Sequence, residues 1–170
     1  MEELHTVYLS IGSNMGDKRH NLETAISCLQ AHEIIQVESV SGFYRTQPQN
    51  YIDQDWFVNA ALKIQTTLMP EQLMAVLKAL EKQMDKGGKA FRFGPRIIDL
   101  DIILYDDLVL KTPTLQIPHP RMHERCFVLI PLCDIGPSQV HPVFKLNLQV
   151  LLEKIEKQET QKVILLDEEA

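Results

Sequence analysis

The chain has 170 residues, of which 45% are hydrophobic and 24% are charged, and its formal net charge is −6. This length is typical of one domain with a sizeable core, no apolar run is long enough to span a bilayer, and the N-terminus lacks the pattern of a signal peptide. An acidic balance argues against nucleic acid as a partner. We therefore expect a single domain over residues 1–170, in the cytoplasm, that binds neither nucleic acid nor a membrane.

The first part of the chain predicts a strand, a helix and two further strands. Alternating apolar residues predict the first strand over 7–11, and apolar residues at helical spacing predict a helix over 18–31. Weaker alternation predicts a second strand over 34–45. A polar loop then extends to Asp55, and renewed alternation predicts a third strand over 56–66.

The second part predicts a helix, a buried strand and a mostly helical C-terminal region. Pro70 is at the first turn of the helix, where its missing N–H costs least. After a loop over 86–94, an Ile- and Leu-rich run predicts a strand over 97–104, which we expect at the centre of the sheet. The remaining segments are a Pro-punctuated stretch over 113–120, helices over 125–135 and 146–157, and a strand or tail over 161–166.

The order of these elements predicts the fold class. Strand, helix, strand, strand, helix, strand over residues 7–104 is the ferredoxin-like βαββαβ pattern. We expect an α+β protein with an antiparallel sheet, two helices packed on one face, and additional C-terminal helices. The three cysteines, Cys28, Cys126 and Cys133, lie in apolar helical segments without a Cys-x-x-Cys pair, so we expect reduced thiols and neither a zinc site nor a disulfide.

Two aspartates inside the Ile- and Leu-rich strand carry the strongest functional signal. Asp99 and Asp101 are two residues apart, so their side chains point to one face, with Cα atoms roughly 6.6 Å apart. Two buried anions need a compensating cation, and oxygen ligands suit Mg²⁺. Solvation at a sheet edge or pairing with a nearby arginine are the alternatives. The apolar residues on both faces of the strand favour the metal site.

Basic residues precede the strand, around the pair Gly87-Gly88; they are Lys82, Lys86, Lys89, Arg92 and Arg96. Carboxylates for Mg²⁺ beside a basic loop are the parts that phosphoryl transfer needs. Arg96 can bind a phosphate with its planar fork or pair with the aspartates. For Lys86 and Arg92, the residues alone favour ordinary solvated loop charges.

The strand and its surroundings closely resemble the 6-hydroxymethyl-7,8-dihydropterin pyrophosphokinases of folate synthesis. The family pattern is a basic residue, an aromatic residue, Gly-Pro-Arg, two residues, Asp-Leu-Asp and an aliphatic pair, and it matches residues 92–103. Further blocks resemble the family in the same order, and they cover most of residues 4–140. These blocks are Leu-Ser-Ile-Gly-Ser-Asn at 9–14, Phe-Tyr-Arg-Thr at 43–46, Phe-Val-Asn-Ala-Ala at 57–61 and Ile-Pro-His-Pro-Arg-Met-His-Glu-Arg at 117–125.

The resemblance implies a reaction and its partners. The pyrophosphoryl group of ATP would pass to the hydroxymethyl oxygen of the dihydropterin, releasing AMP, with two Mg²⁺ ions held by Asp99 and Asp101. ATP and a dihydropterin are then the partners, and we expect a monomer. Two alternatives stay open: a nucleotide-binding regulatory module without turnover, and an RNA-binding sheet, which the acidic balance disfavours.

The resemblance also implies the other site residues. The catalytic residues would be Arg96, Lys86 and Arg92. The nucleotide and phosphate contacts would be Glu81, Arg96, Ile102, His119 and Arg125. The pterin contacts would be Thr46, Gln47, Phe57, Asn59 and Phe127. From the residues alone, a solvated helix charge for Glu81, a turn histidine for His119 and plain core packing for Phe127 are the alternatives.

Some positions depart from the family pattern. Lys86 and Gly88 stand where better-known members carry arginine, and a lysine cannot make the same two-pronged phosphate contact. Phe93 replaces a usual Trp, and Pro120 replaces a usual aromatic residue. For 12–14, Gly-Ser-Asn, we expect only a turn with a helix-capping function.

Overall fold

The computed structural model describes residues 2–48, 55–85, 96–158 and 161–166. In chain order its elements are β1 (His5–Ser13), α1 (Lys18–Gln30), β2 (Ile35–Val40), β3 (Tyr44–Thr46), β4 (Phe57–Thr66), α2 (Pro70–Met84), β5 (Asp99–Tyr105), β6 (Leu110–Lys111), β7 (Gln116–Ile117), a 3₁₀ helix (Met122–Glu124), α3 (Cys126–Ile135), α4 (Leu148–Glu156) and β8 (Val163–Leu165). The predicted loop over 86–94 lies outside the described residues.

Short polar contacts start the helices. The Asp17 side chain accepts a hydrogen bond from the His20 N–H at 3.1 Å and caps α1. The Asn147 side chain does the same for the Val150 N–H of α4, at 2.9 Å. Pro70 occupies the first turn of α2, as predicted. The two side-chain caps satisfy N–H groups that have no partner inside their helices. Pro70 has no N–H group, so none is left without a partner at that position.

The strands form an antiparallel sheet in the order β5-β1-β4-β3-β8, and β2 also pairs with β4. The succession β1, α1, β2, β4, α2, β5 confirms the predicted ferredoxin-like core. The predicted second strand is divided into β2 and β3, which pair with different parts of β4. Between them, the Ser41 N–H donates to the Ala61 carbonyl at 2.9 Å, and the Ser41 hydroxyl accepts from the Ala61 N–H at 2.8 Å.

The strand that carries the aspartates is at the edge of the sheet, so its predicted central position is wrong. β5 pairs with β1 and ends the strand order within the described residues. Its apolar residues are buried because helices and loops cover both faces, not because strands flank it on both sides. Leu100 and Ile102 pack in the core with α2, whereas Ile103 and Leu104 pack in the core with α3.

Helices cover both faces of the sheet. On one face, α1 and α2 bury Leu22, Leu29, Leu73 and Leu77 against alternate residues of β1 and β4. On the other face, α3 and α4 bury Leu129, Leu132, Leu148 and Leu152. The prediction that the two helices of the βαββαβ core share one face is confirmed.

The C-terminal third adds features that the pattern only partly predicts. The predicted helices over 125–135 and 146–157 correspond to α3 and α4, and the last segment is strand β8, which pairs with β3. The small hairpin of β6 and β7 was not predicted. All three cysteines are free thiols in helices. Within the described ranges, every helix is too short or too polar to cross a membrane.

Candidate active site

Asp99 and Asp101 lie on one face of β5, as the strand period predicts, and both are half-buried. Burial raises the pKa of both carboxyls. The negative charge of Asp101 raises the pKa of Asp99 further, and the positive charges of Arg96, Lys78 and Arg125 partly oppose these effects. Neither carboxylate belongs to an ion pair formed within the described residues. The described residues therefore compensate the negative charge of this site only in part.

Glu81 is attached to the same strand from the side. Its carboxylate oxygen Oε2 accepts a hydrogen bond from the Leu100 N–H at 2.7 Å, between the two aspartates, and Lys78 Nζ lies 3.2 Å from Oε1. The Glu81 side chain is 18% exposed, so it is not a solvated helix charge. It satisfies a backbone donor at the edge of the sheet. We call Glu81, Asp99 and Asp101 the carboxylate edge.

Asn14 fixes the start of the strand. Its side-chain Oδ1 accepts from the Arg96 N–H at 2.7 Å, and its own N–H donates to the Arg96 carbonyl at 3.0 Å. Asn14 is buried, so this pair of bonds holds Arg96 next to the end of β1. We expected only a turn at 12–14, so this contact was missed. Its signal was an asparagine placed directly after a buried strand.

Arg125 links the aspartates to an aromatic residue. Its guanidinium carbon lies 5.4 Å from the ring centroid of Phe127. Burial and the charge of Arg121 lower the pKa of Arg125, and the two aspartates oppose that shift. The Arg125 Nε atom is buried and has no hydrogen-bond partner in the described part of the chain. A buried cationic donor without a partner is suited to an anionic ligand.

His119 presents a hydrogen-bond donor near the same strand. Its backbone N–H donates to the Ile103 carbonyl at 3.0 Å, and its Nδ1 accepts from the Arg121 N–H at 3.1 Å. Burial and the charges of Arg125 and Arg121 lower the pKa of His119 to about 4. The imidazole is therefore neutral near pH 7. Because Nδ1 is an acceptor, the proton is on Nε2.

A cavity of about 290 Å³ opens beside Asp101 and His119. Its walls come from α2, β5 and the hairpin of β6 and β7, and the lining residues include Leu77, Lys78, Leu100, Ile102, Thr112, Leu115 and Gln116. The predicted nucleotide contacts Ile102 and His119 thus share one cavity with Asp101. Lys78 and the hairpin were not predicted as parts of the site, because neither belongs to a motif.

A second polar cluster lies on the neighbouring strands β1, β3 and β4. Asn59 and Thr46 are buried, and the Asn59 Nδ2 donates to the Thr46 hydroxyl at 2.5 Å. An added Cβ at Gly12 would lie 2.3 Å from Asn59 Oδ1, so only glycine fits against this amide. We call Gly12, Thr46 and Asn59 the amide cluster. Half-buried Phe57 pairs with Thr46 across β3 and β4.

Strand register places the two clusters in one row. Gly12 of β1 pairs with Asp99 of β5 on one side and with Asn59 of β4 on the other. Residues directly opposite in neighbouring strands point to the same face. Asp99 and Asn59 therefore share a face, roughly 10 Å apart across two strand spacings, with the side-chain-free Gly12 between them.

The donor set fits Mg²⁺. Mg²⁺ commonly binds proteins through one or two carboxylates and takes its other ligands from phosphates and water. Asp99 and Asp101 supply two such carboxylates, whereas Glu81 is engaged by Leu100 and Lys78. Over the described ranges, no group of three or more His, Cys, Asp or Glu side chains is arranged to hold a metal ion.

The predicted site residues that the structure describes fall into two groups. The group around β5 consists of Asp99, Asp101, Arg96, Arg125, His119, Ile102 and Glu81. The group around β4 consists of Thr46, Asn59 and Phe57. Phe127 lies next to Arg125. Gln47 directly follows β3. Lys86 and Arg92 lie outside the described residues.

The chain is similar to known proteins over most of its length. The model of a family described as 7,8-dihydro-6-hydroxymethylpterin-pyrophosphokinase (HPPK) matches residues 8–137. The 2-amino-4-hydroxy-6-hydroxymethyldihydropteridine pyrophosphokinase of Aquifex aeolicus is 38% identical over 140 residues, which cover 82% of this chain and 86% of that protein. The folic acid synthesis protein FOL1 of Dictyostelium discoideum is 46% identical over 141 residues, which cover 83% of this chain and 21% of that protein.

Some of these relatives are much longer. The chain spans 20–21% of the length of the folic acid synthesis proteins that it matches. A crystal structure of Plasmodium falciparum HPPK-DHPS with pteroate superposes on this chain with a TM-score of 0.75 at 16% sequence identity. The superposition covers 93% of this chain and 44% of that chain. At this identity the likeness shows a shared fold.

Proposed function

The chain belongs to the 7,8-dihydro-6-hydroxymethylpterin-pyrophosphokinase family, and from that premise we propose that it transfers the pyrophosphoryl group of ATP to 6-hydroxymethyl-7,8-dihydropterin. The hydroxymethyl oxygen attacks the β-phosphorus, the bond from that phosphorus to the α,β-bridging oxygen breaks, and AMP leaves. The product is the pterin diphosphate that folate synthesis uses. That the β-phosphorus is attacked follows from the family and not from residue spacing.

ATP binds along β5 with its base in the cavity of about 290 Å³. The apolar side chains of Leu77, Ile102 and Leu115 suit a flat heterocycle, and the neighbouring backbone offers polar groups to its edge. The His119 Nε2–H and the guanidinium groups of Arg96 and Arg125 suit the phosphates. The buried Arg125 Nε without a partner in the described chain supports this assignment.

Two Mg²⁺ ions bind at Asp99 and Asp101. When bound there, Mg²⁺ neutralises phosphate charge and orients the triphosphate for in-line transfer. The raised pKa of both carboxyls, caused first by burial, supports a site that needs a cation. Glu81 acts indirectly in this proposal, because its bond to the Leu100 N–H holds the backbone between the two aspartates.

The dihydropterin binds over the amide cluster. Asn59 and the Thr46 hydroxyl offer donors and acceptors to the edge of the ring, and Phe57 and Phe127 offer aromatic faces. Gln47 borders the same ring. The row formed by Asp99, Gly12 and Asn59 supports this arrangement, because a pterin bound at Asn59 extends its hydroxymethyl group over Gly12 toward the carboxylate edge.

Catalysis in this proposal needs no protein nucleophile. The acceptor is a substrate hydroxyl, so the chain contributes by positioning both substrates and by stabilising charge on the transferred group. Arg96 and Arg125 supply fixed positive charge from the described residues, and Lys86 and Arg92 would supply more from outside them. Lys86 contributes a single point charge where other members have a planar guanidinium.

Three finer expectations complete the proposal: one domain over residues 1–170, a monomer, and a cytoplasmic location. The continuous sheet from β5 to β8 supports a single unit over the described residues. Sedimentation velocity of the purified chain tests the monomer, and a species larger than the 19.5 kDa chain contradicts it.

The observation that carries the proposal is the row of Asp99, Gly12 and Asn59, which brings a metal-binding carboxylate and a ring-binding amide to one face. The test is nucleotide analysis after incubation with ATP, Mg²⁺ and 6-hydroxymethyl-7,8-dihydropterin. AMP that forms only with the pterin is the expected result. ADP would mean attack at a different phosphorus, and ATP binding without turnover would favour a regulatory module.

A further inference from the structure

The short strand β3 carries Thr46 and is held from two sides. It spans only Tyr44–Thr46, and it pairs with β4 on one edge and with the C-terminal strand β8 on the other. Thr46 pairs with Phe57 on one side and with Val163 on the other. The pairing with β8 joins a segment beyond the family-matched residues 8–137 to the part of the molecule that we assign to the pterin.

The C-terminal segment also engages the residue that follows β3. The Gln47 N–H donates to the Lys162 carbonyl at 3.0 Å, and the Lys162 N–H donates to the Gln47 side-chain oxygen at 3.2 Å. The Gln161 side-chain Nε2 donates to the Gln47 carbonyl. Residues 161–162 therefore bind the backbone donor, the backbone acceptor and the side chain of Gln47.

These contacts extend along the whole of β3. The Leu166 N–H donates to the Phe43 carbonyl at 2.8 Å, so the segment follows the chain from Phe43 to Gln47. Val163 packs against the same apolar cluster as Phe127, the other aromatic residue that we assign to the pterin. The segment thus contacts β3 and α3, the two elements besides β4 that we expect to supply pterin contacts.

A contribution limited to overall stability does not explain this arrangement. Two of the three residues of β8, Ile164 and Leu165, are 44% and 50% exposed, so the strand buries little apolar surface. Its hydrogen bonds outside the segment are concentrated on 43–47. A segment with few apolar contacts and many directed bonds is suited to fixing the position of another segment.

We propose that Gln161 is a positioning residue and that it acts with strand β8 to hold Thr46 and Gln47 in the arrangement that binds the dihydropterin. The proposal rests on the function proposed above, since it assigns 46–47 to the pterin. The Gln161 amide acts through the Gln47 carbonyl. Loss of its bond frees the segment and weakens pterin binding, while ATP binding along β5 is unaffected.

The first test compares Gln161→Met with Lys162→Ala in the full chain. The methionine keeps the size of the side chain but removes the amide, whereas Lys162 contacts Gln47 only through its backbone in the bonds described above. We expect the KM for the pterin to rise about threefold to tenfold in Gln161→Met, with the KM for ATP within about twofold of wild type. Lys162→Ala should match wild type in both constants.

Two results would overturn the proposal. One is an unchanged pterin KM in Gln161→Met. The other is a parallel rise of both KM values together with a lower Tm, which would indicate a general structural contribution. A chain that ends at Gln158 removes the whole segment and should raise the pterin KM more than the point change does. If that shortened chain fails to fold, the comparison of Gln161→Met with Lys162→Ala still tests the proposal.

Direct binding separates this inference from the proposed function. Fluorescence titration measures the dissociation constant of the dihydropterin in the presence of Mg²⁺ and a non-hydrolysable ATP analogue. Wild type that binds the pterin in this titration but releases no AMP in a separate assay with ATP contradicts the proposed function. Weaker binding by Gln161→Met then still supports the positioning of 46–47. Equal binding by wild type and Gln161→Met, or no binding by either, overturns the inference.

Discussion

The carboxylate edge and the amide cluster share one face of the sheet but differ in how their polar groups are satisfied. In the amide cluster, Asn59 donates to Thr46, and both residues are buried with a partner. At the carboxylate edge, Glu81 is bonded to the strand, but Asp99 and Asp101 belong to no ion pair within the described residues. Burial raises the pKa of both aspartates.

The difference matches the chemistry of the two proposed ligands. A neutral ring gains most from donors and acceptors that are already oriented, because their ordering cost is met during folding. Bound cations and phosphates gain most from charge that the protein leaves uncompensated, because the ligand then completes the electrostatic balance. In the proposed function, the polar groups of the amide cluster are oriented before the pterin binds, whereas bound Mg²⁺ and phosphate would balance the charge of the carboxylate edge.

The largest expected effect comes from breaking the carboxylate edge. We expect Asp99→Asn and Asp101→Asn each to lower kcat/KM about a thousandfold, because the charge that holds Mg²⁺ and the triphosphate is lost. Each should also raise the Tm measured without Mg²⁺, since a repulsive buried charge is removed. Calorimetry and AMP release measure the two effects. Asp107→Asn, an exposed aspartate just beyond β5, is the control and should change neither.

The next largest effect is expected when a larger residue at Gly12 displaces the Asn59 amide of the amide cluster. The new methyl group of Gly12→Ala would lie 2.3 Å from Asn59 Oδ1 and would displace the amide. We expect kcat/KM for the pterin to fall about a hundredfold, with the KM for ATP nearly unchanged. The double variant Gly12→Ala with Asn59→Ala should be little worse than Asn59→Ala alone. Strict additivity would show that Gly12 does not act through Asn59.

A smaller effect is expected at Glu81, where two substitutions distinguish the contribution of its charge to stability from that of its hydrogen bond. Glu81→Leu leaves the Leu100 N–H without its acceptor, so we expect a loss of about 2 kcal/mol in the free energy of unfolding. Glu81→Gln keeps an acceptor oxygen and should lose much less. Urea unfolding measures both. Equal losses would mean that the charge of Glu81, and not its bond to β5, supports the strand.

The smallest effect concerns pH and His119. Its pKa is about 4 in the folded chain and near 6.5 when unfolded, so the unfolded chain takes up the proton first as the pH falls. We expect His119 to reduce the free energy of unfolding by about 1 kcal/mol between about pH 7 and pH 5.5. Replacement by Gln should remove that part of the pH dependence. An NMR titration that places the His119 pKa near 6.5 would contradict it.

Local pattern predicted much of the fold. Period-2 alternation located β1 and β4, continuous apolar runs located β5 and α3, and helical spacing located α1 and α2, because each signal depends on residues close in sequence. The division of the second strand at Ser41 and the hairpin of β6 and β7 were not predictable in this way. Both depend on hydrogen bonds and packing with distant segments.

The family motif, the common face of Asp99 and Asp101, and the order of elements in the core follow from the amino-acid sequence alone. The edge position of β5, the place of Gly12 between Asp99 and Asn59, and the pairing of the last strand with Thr46 are visible only in the folded chain. Strand order and register come from pairing between segments far apart in the chain. Local backbone preferences and side-chain periods do not encode that pairing.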